Sequence, residues 1–419
     1  MSRSVRSLSR LAACRTACSR LFLTALARRV RHGTLTISDD GHQRTYGSVE
    51  DLGLCASVDV LDDNVWRRVV TGGGVGLGRS YLLGEWDSPD LVALLRLLTL
   101  NLDRINRLPR RFAPFTQALR RPLRALGRPS KSQDRANIAA HYDLGDEFFR
   151  LFLDPSMAYS CAVFPSSSST LAEASSEKFD RICRKLQLGP RDHVVEIGTG
   201  WGGFALHAAE HYGCRVTTTT ISQKQYAYAK HRVAEAGLAD RVTVLNRDYR
   251  DLEGQFTHLV SIEMIEAVDW RHYETFFAAC ANLLVPDGQA ALQCIVIDDR
   301  EFERYKSSQD FIRRFIFPGG GLPSITAMSD AFTRATDLRL TDLEDLGPHY
   351  VRTLSEWRER LDARWAEALA LGFDEAFLRK WRFYFAYCTA GFAERHVSVV
   401  QMVLARSQWR GGLALRATQ

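Results

Sequence analysis

A glutamate two residues ahead of a glycine cluster is the first feature with chemical content: Glu196, then Gly198, Gly200, Gly202 and Gly203, within VVEIGTGWGG (194–203). β-Branched residues run into a tight turn, and a helical pattern, FALHAAEHY, follows. A strand, turn and helix of this kind bring backbone N–H groups close to a nucleotide-like ligand. The spacing differs from G-x-G-x-x-G and no lysine follows to clamp a phosphate, which excludes a P-loop. Two other patterns invite chemistry and are set aside. His207, Glu210 and His211 match H-x-x-E-H, but they ride the helix directly after the glycine turn, so no metal is expected. Gly72, Gly73, Gly74, Gly76 and Gly78 lack a following strand–helix–strand unit and read as a flexible turn.

The elements that must hold the glycine turn alternate regularly. Helix to 188, strand 193–197, helix 203–212, strand 214–220, helix 222–236, strands 241–246 and 257–262, helix 271–284 and strand 289–297 follow one another. That rhythm predicts an α/β fold with a doubly wound, mostly parallel sheet. Residues 298–345 leave it, with aromatic and basic residues and the turn Pro318-Gly319-Gly320-Gly321. They read as an insertion capping the carboxyl edge of the sheet, where ligands of such folds sit. Helices over 355–371 and 373–388 and a last strand, VSVVQMVLA, close the domain.

Upstream, residues 34–70 alternate apolar and polar positions around Asp39-Asp40-Gly41 and Asp62-Asp63-Asn64, which predicts short strands and hairpins. Ser88-Pro89-Asp90 opens a helix with Ser88 as its cap, and LVALLRLLTLNL is apolar nearly all round, hence buried. Four prolines between Arg104 and Ser132 mark a linker. The expected division is 1–103, a small α+β domain with a basic leading helix, then a basic linker at 104–135, then the main domain at 136–419.

A chain of 419 residues with 46% hydrophobic content can bury two such cores. Its net charge of +6 is unevenly placed: residues 1–31 hold eight arginines and no acid, and 104–135 hold ten Lys or Arg against Asp134. Such blocks favour an anionic bilayer surface. No base-reading motif accompanies them, so nucleic acid is not expected. Nine cysteines without C-x-x-C spacing point to reduced thiols. No apolar run approaches the roughly 20 residues that span a bilayer, and Arg15 and Arg20 interrupt the best candidate. A cytoplasmic protein, peripheral on the inner face of the membrane, is the expectation; an organelle transit peptide is the alternative reading of the leader. A homodimer is left open.

Eight segments in order carry a resemblance: 141–164 (HYDLGDEFFRLFLDPSMAYSCAVF), the glycine loop with Trp201, TISQKQ (220–225), RDYRDL (247–252), SIEMIEAV (261–268), FIRRFIFPGG (311–320), GPHYVRTLSEW (347–357) and FYFAYCTAGF (383–392). From about residue 135 onward the chain resembles cyclopropane-fatty-acyl-phospholipid synthases. More weakly, GLGRSYLLGEWDSPDL (76–91) looks like the N-terminal domain of the bacterial two-domain form. The resemblance implies a Rossmann-like class I methyltransferase fold with a lipid-capping insertion. It also implies transfer of the S-adenosylmethionine methyl carbon to the cis double bond of an unsaturated acyl chain in membrane phospholipid. Ring closure needs a base, which the family supplies as bicarbonate.

Carried over by motif, the catalytic positions are Cys161, Glu266, Gln293, Ile295 and Tyr350 around that bicarbonate, with Cys388 as a further active-site cysteine. The cofactor positions are Tyr159, Ser160, Glu196, Gly198, Gly200, Trp201, Gly202, Thr220, Ser222, Gln225, Asp248, Tyr249 and Arg250. Glu196 is expected to hold the methionine end, Ser222 and Gln225 the ribose, and 248–250 the adenine. The aromatic stretch 311–317 is expected to wall the acyl tunnel. Many members carry His where this chain has Gln293, and a glutamine donates a hydrogen bond but does not titrate. That departure leaves room for a methyl- or methylene-branched product. A catalytically idle lipid-binding protein is the reading from another class.

Overall fold

The structure, a computed structural model, describes residues 17–48, 53–102, 104 and 145–411. Residues 1–16 of the basic leader and nearly all of the 104–135 linker lie outside them. The chain forms two compact units: Met1–Arg128 with Gln309–Ile316 and Leu361–His396, and Pro129–Ser308 with Phe317–Arg360 and Val397–Gln419. The expected single boundary near 136 therefore needs correction. Segments 309–316 and 361–396 join the N-terminal unit because their apolar faces find partners there. The Phe311 ring lies 4.5 Å from that of Phe383, and a Cβ at Gly78 would come within 2.2 Å of Phe311.

In the first unit, strands β1 (Gly33–Asp39), β2 (His42–Ser48), β3 (Cys55–Val60) and β4 (Trp86–Asp87) form a sheet ordered β2-β1-β3-β4. Asp39-Asp40-Gly41 turns the β1–β2 hairpin as expected. Asp62-Asp63-Asn64 does not turn a hairpin; it opens helix Asn64–Leu82, with the Asp62 carboxylate accepting from the Asn64 N–H at 2.8 Å. That helix absorbs the glycine run, kinked at Gly73 (φ 54°), where a flexible turn was expected. Helix Leu91–Leu100 buries Leu91, Ala93, Leu94, Leu95 and Leu97, with its other residues half-buried, and its cap is Asp90, which accepts from Ala93 N–H at 2.9 Å. Ser88 instead donates to the Ser57 carbonyl at 2.7 Å.

The second unit carries β5 (His193–Ile197), β6 (Arg215–Thr220), β7 (Val242–Asn246), β8 (Phe256–Ile262), β9 (Leu284–Ile297), β10 (Arg339–Asp345) and β11 (Val397–Ala405). They form one sheet ordered β10-β11-β9-β8-β5-β6-β7. Strands β5 to β9 run parallel, while β11 is antiparallel to both β9 and β10. Strand β10 lies inside the segment read as pure insertion, so that reading shrinks by its last seven residues. Alternate residues of β5 enter different cores: Val195 and Ile197 pack with Phe276 and Phe277, Val194 with Phe179, Phe204 and Ala208. Burial on both faces is what a parallel sheet requires. Strand order reverses beside β5, which makes the loops at its carboxyl end the natural crevice for a ligand.

Candidate active site

The glycine loop leaves β5 at that crevice. Gly198, Gly200 and Gly202 hold φ of 106°, 51° and 87°, a region that favours glycine. A Cβ at Gly200 would meet nothing within 4 Å, so one side of the loop is open to a ligand lying against the backbone. Beneath the loop, Glu196 is 2% exposed. Its Oε2 accepts from the Thr218 hydroxyl at 2.6 Å, and that hydroxyl lies 2.7 Å from Thr199 Oγ1. Burial pushes the Glu196 pKa up to about 8, against the Thr218 hydrogen bond and the charge of Lys178. Burial thus favours the protonated form of Glu196, and the Thr218 bond fixes its side chain beneath the loop.

Thr220, Ser222 and Gln225 follow β6 as expected. Ser222 caps helix Gln223–Glu235 by accepting from Gln225 N–H at 3.3 Å, and Thr220 Oγ1 donates to Gln225 Oε1 at 2.8 Å. After β7, Asp248 accepts from Arg250 Nε at 2.8 Å and Nη2 at 2.7 Å, and the guanidinium sits 5.5 Å from the Tyr249 ring centre. The three groups of cofactor positions thus share the carboxyl edge of the sheet. Their geometry fits an adenosine-bearing ligand spread over the loop, with the polar side chains already braced by one another.

An aromatic cluster stands beside the loop. The Tyr159 ring lies 5.4 Å from Phe149, 5.3 Å from Trp357 and 6.4 Å from Phe317. Trp201 packs on Phe149 at 4.8 Å and donates its indole N–H to Asp146 at 2.7 Å. Tyr350 meets Trp357 edge-on at 6.1 Å. Of the 311–317 stretch, Phe317 belongs to this unit, and Phe311 packs in the core of the other. Cys388 also belongs to the first unit, on helix Glu375–Ala393.

The chemical centre lies where β8 and β9 end. Glu263, which sequence reasoning passed over, is its hub. Glu263 Oε1 accepts from the Cys161 backbone N–H and from Gln293 Nε2, both at 2.8 Å. Its Oε2 accepts from the Tyr350 hydroxyl at 2.6 Å. Gln293 Nε2 also donates to the Cys161 carbonyl at 3.1 Å, while Gln293 Oε1 accepts from Gln401 at 3.1 Å. Glu266 stands apart from this set: Oε1 accepts from the Ile295 N–H at 2.5 Å, and Oε2 is buried with no hydrogen-bond partner among the described residues. Burial, reinforced by the neighbouring Glu263 charge, pushes the Glu266 pKa up to about 8.

Lys178, also missed, is fully buried on helix Leu171–Lys185 and donates to Ser160 Oγ at 2.6 Å. Burial lowers its pKa; Glu263, Asp154, Cys161 and Glu196 oppose that. Burial raises the Glu263 pKa, while the bonds from Tyr350, Gln293 and Cys161 and the Lys178 charge pull it down. The Cys161 thiol is held well up by burial and by Glu263, so it is no nucleophile.

A bicarbonate ion does not fit this arrangement. Of the donors the resemblance assigned to it, Cys161 N–H, Gln293 and Tyr350 are directed at Glu263, and Ile295 N–H at Glu266. The assigned residues do converge, but around a carboxylate of the chain itself. Among the described residues, no group of three or more His, Cys, Asp or Glu is placed to hold a metal.

Comparison with known proteins decides the family. The mycolic acid cyclopropane synthetase family matches residues 129–402. The chain belongs to that family. A cyclopropane-fatty-acyl-phospholipid synthase of Escherichia coli is 34% identical over 359 residues, spanning 85% of this chain and 89% of that protein. A tuberculostearic acid methyltransferase of Mycobacterium tuberculosis is 40% identical over 356 residues, 82% of each. A cyclopropane synthase structure from Mycobacterium tuberculosis superposes with a TM-score of 0.61 at 32% identity, covering 65% of this chain and 98% of that one. As a member of the cyclopropane synthetase family, the chain is an S-adenosylmethionine-dependent lipid methyltransferase of class I fold.

Proposed function

We propose that this cyclopropane synthetase homologue moves the methyl carbon of S-adenosylmethionine onto the cis double bond of an unsaturated acyl chain in membrane phospholipid, and that the product is a cyclopropane. The observation that carries the reading is Tyr350, which joins the aromatic cluster to a partly buried carboxylate beside the glycine loop. Bound at that loop, the cofactor supplies an electrophilic methyl group on a sulfonium.

The chain's own part is to make an isolated alkene, a poor nucleophile, worth attacking. Aromatic faces at Tyr159, Trp357 and Phe317 favour a developing positive charge, by about 2 kcal/mol for a desolvated contact. They also keep water from a carbocation that it would trap. A base beside Tyr350 then accepts the proton whose loss ends the reaction.

A second reading has one observation in its favour, the 40% identity to a protein named as a tuberculostearic acid methyltransferase. There a hydride shifts from the methylated carbon to its neighbour before a proton is lost from the new methyl group, and the product is a methylene branch that a reductant would convert to a methyl branch. Mass spectrometry of lipids from an expressing host separates the readings. A ring adds CH2 and resists mild hydrogenation, a methylene branch adds CH2 and is reduced, a reduced methyl branch adds CH4, and unchanged lipids would remove both. The basic runs at 1–31 and 104–135 support docking on the anionic inner face of a membrane. No helix among the described residues is long and apolar enough to cross one.

A further inference from the structure

We propose that the Glu263 carboxylate is itself the base of the reaction, standing where a bicarbonate ion would otherwise be held. The inference rests on the acyl-chain methylation proposed above and names the group that completes it.

The geometry is that of a built anion site filled from within. Three donors converge on Glu263: the Cys161 N–H, the Gln293 amide and the Tyr350 hydroxyl, at 2.6 to 2.8 Å. A carboxylate offers about four lone-pair positions, so the cradle orients the group and leaves room for a proton. Glu263 is only partly buried, unlike Cys161 behind it. The fully buried Lys178 supplies a cation with Glu263 among the charges that face it. Among the described residues Glu266 lacks those supports: it has one backbone donor, an unpartnered Oε2 and no donating side chain. Burial favours the protonated form of both carboxylates, but at Glu263 three donors and Lys178 pull against it, and at Glu266 little does.

Gln293 fits the same assignment. Its amide donates simultaneously to Glu263 and to the Cys161 carbonyl, and Gln401 fixes which way round the amide lies. A backbone feature agrees as well: Glu263 holds φ of 48°, which a side chain adopts only under strain. The strained turn points its side chain into the cradle.

The step balances without another reactant. The methyl carbon bonds to one alkene carbon as its bond to sulfur breaks, and sulfur keeps that pair. A C–H bond of the arriving methyl group then breaks. Its electron pair closes onto the other alkene carbon, and the proton passes to a Glu263 oxygen.

The test compares wild type, Glu263→Gln and Glu263→Gly. Glycine suits the backbone conformation and opens the cradle; glutamine keeps it filled with a group that cannot accept the proton. Wild type should turn over undiminished in buffer stripped of carbon dioxide. Both variants should lose about a hundredfold or more in turnover while keeping their cofactor affinity. Added bicarbonate or acetate should restore Glu263→Gly and leave Glu263→Gln unchanged. Labelled bicarbonate, followed by carbon-13 NMR, should bind Glu263→Gly and not wild type. A wild type that binds bicarbonate, or that slows when it is withdrawn, overturns the proposal, as does a Glu263→Gln variant with near-normal turnover. Because the binding measurement needs no lipid, it decides the occupant of the cradle even if acyl-chain methylation itself is not found.

Discussion

Gln293 and Glu263 are tied together twice. The Gln293 amide donates to the Glu263 carboxylate at 2.8 Å, and the Glu263 backbone N–H returns a bond to the Gln293 carbonyl at 2.7 Å. The side-chain bond favours the charged form of Glu263, so its loss must raise the carboxyl's pKa further. The groups facing Glu263 are Lys178, Cys161, Tyr350 and Glu266, and Gln293→Leu alters none of them. A base works only when deprotonated, so the acid limb of the activity profile should move to higher pH. A hydrogen bond to a charged group is worth about 1.5–3 kcal/mol, or roughly ten- to a hundredfold at fixed pH. A rate profile that keeps its acid limb in place would break the link.

Glu266 predicts how stability changes with pH. Its pKa rises on folding from 4.5 to about 8, so the folded state holds a proton that the unfolded chain releases. The associated stability is present below pH 4.5 and drains away as pH climbs through about 8. Glu266→Gln replaces a protonated acid with a neutral amide of the same shape. Its melting temperature should fall less than that of wild type between those limits. Parallel curves for the two proteins would show that Glu266 is ionised throughout.

Lys178→Met keeps the buried stem and removes the charge. Stripping one member from a buried charged set costs about 3–5 kcal/mol, so denaturant midpoints should drop sharply. Adding Glu263→Gln to that variant should recover part of the loss, because the orphaned carboxylate goes with it. Strictly additive losses would mean that Lys178 and Glu263 do not sense each other.

Gly200→Val places a branched side chain in the open space beside the loop, at a φ of 51°. Calorimetry should show S-adenosylmethionine binding abolished in a protein with an unchanged circular dichroism spectrum. Unaltered affinity would move the ligand away from this loop.

Binding to anionic vesicles should weaken steeply with salt, as the Debye length falls from about 10 Å toward 3 Å. Sedimentation with neutral vesicles at low salt is the control. Equal capture by both would leave no electrostatic part to the docking.

The alternation from β5 to β9 is legible in the sequence because buried parallel strands and surface helices have different periods, and each turn carries glycine or a capping hydroxyl. The glycine loop is legible for the same local reason. Errors cluster where tertiary contacts outweigh local signals. Asp62-Asp63-Asn64 has the chemistry of a turn and of a helix start alike. Gly76 and Gly78 look like flexibility, yet Gly78 is small because Phe311, more than two hundred residues away, lies against it. Lys178 stands in a charged helical segment, and nothing local says that its ammonium is buried against four acidic groups. Glu263 had a signal: like Glu266, it follows a strand at the ligand edge of the sheet. Only the three-dimensional register of Cys161, Gln293 and Tyr350 tells the two acids apart.

The backbone at Glu263 has a consequence for how such a site changes over generations. A left-handed conformation costs a side-chain-bearing residue about 1–2 kcal/mol, and glycine is relieved of it. Glutamate and glycine codons differ by a single nucleotide. Random mutation therefore passes readily between an enzyme that carries its proton acceptor and one that must recruit a solute, with stability pulling toward glycine. A lineage that keeps glutamate here gives up some folding free energy and, in exchange, becomes indifferent to the dissolved carbon dioxide of its surroundings.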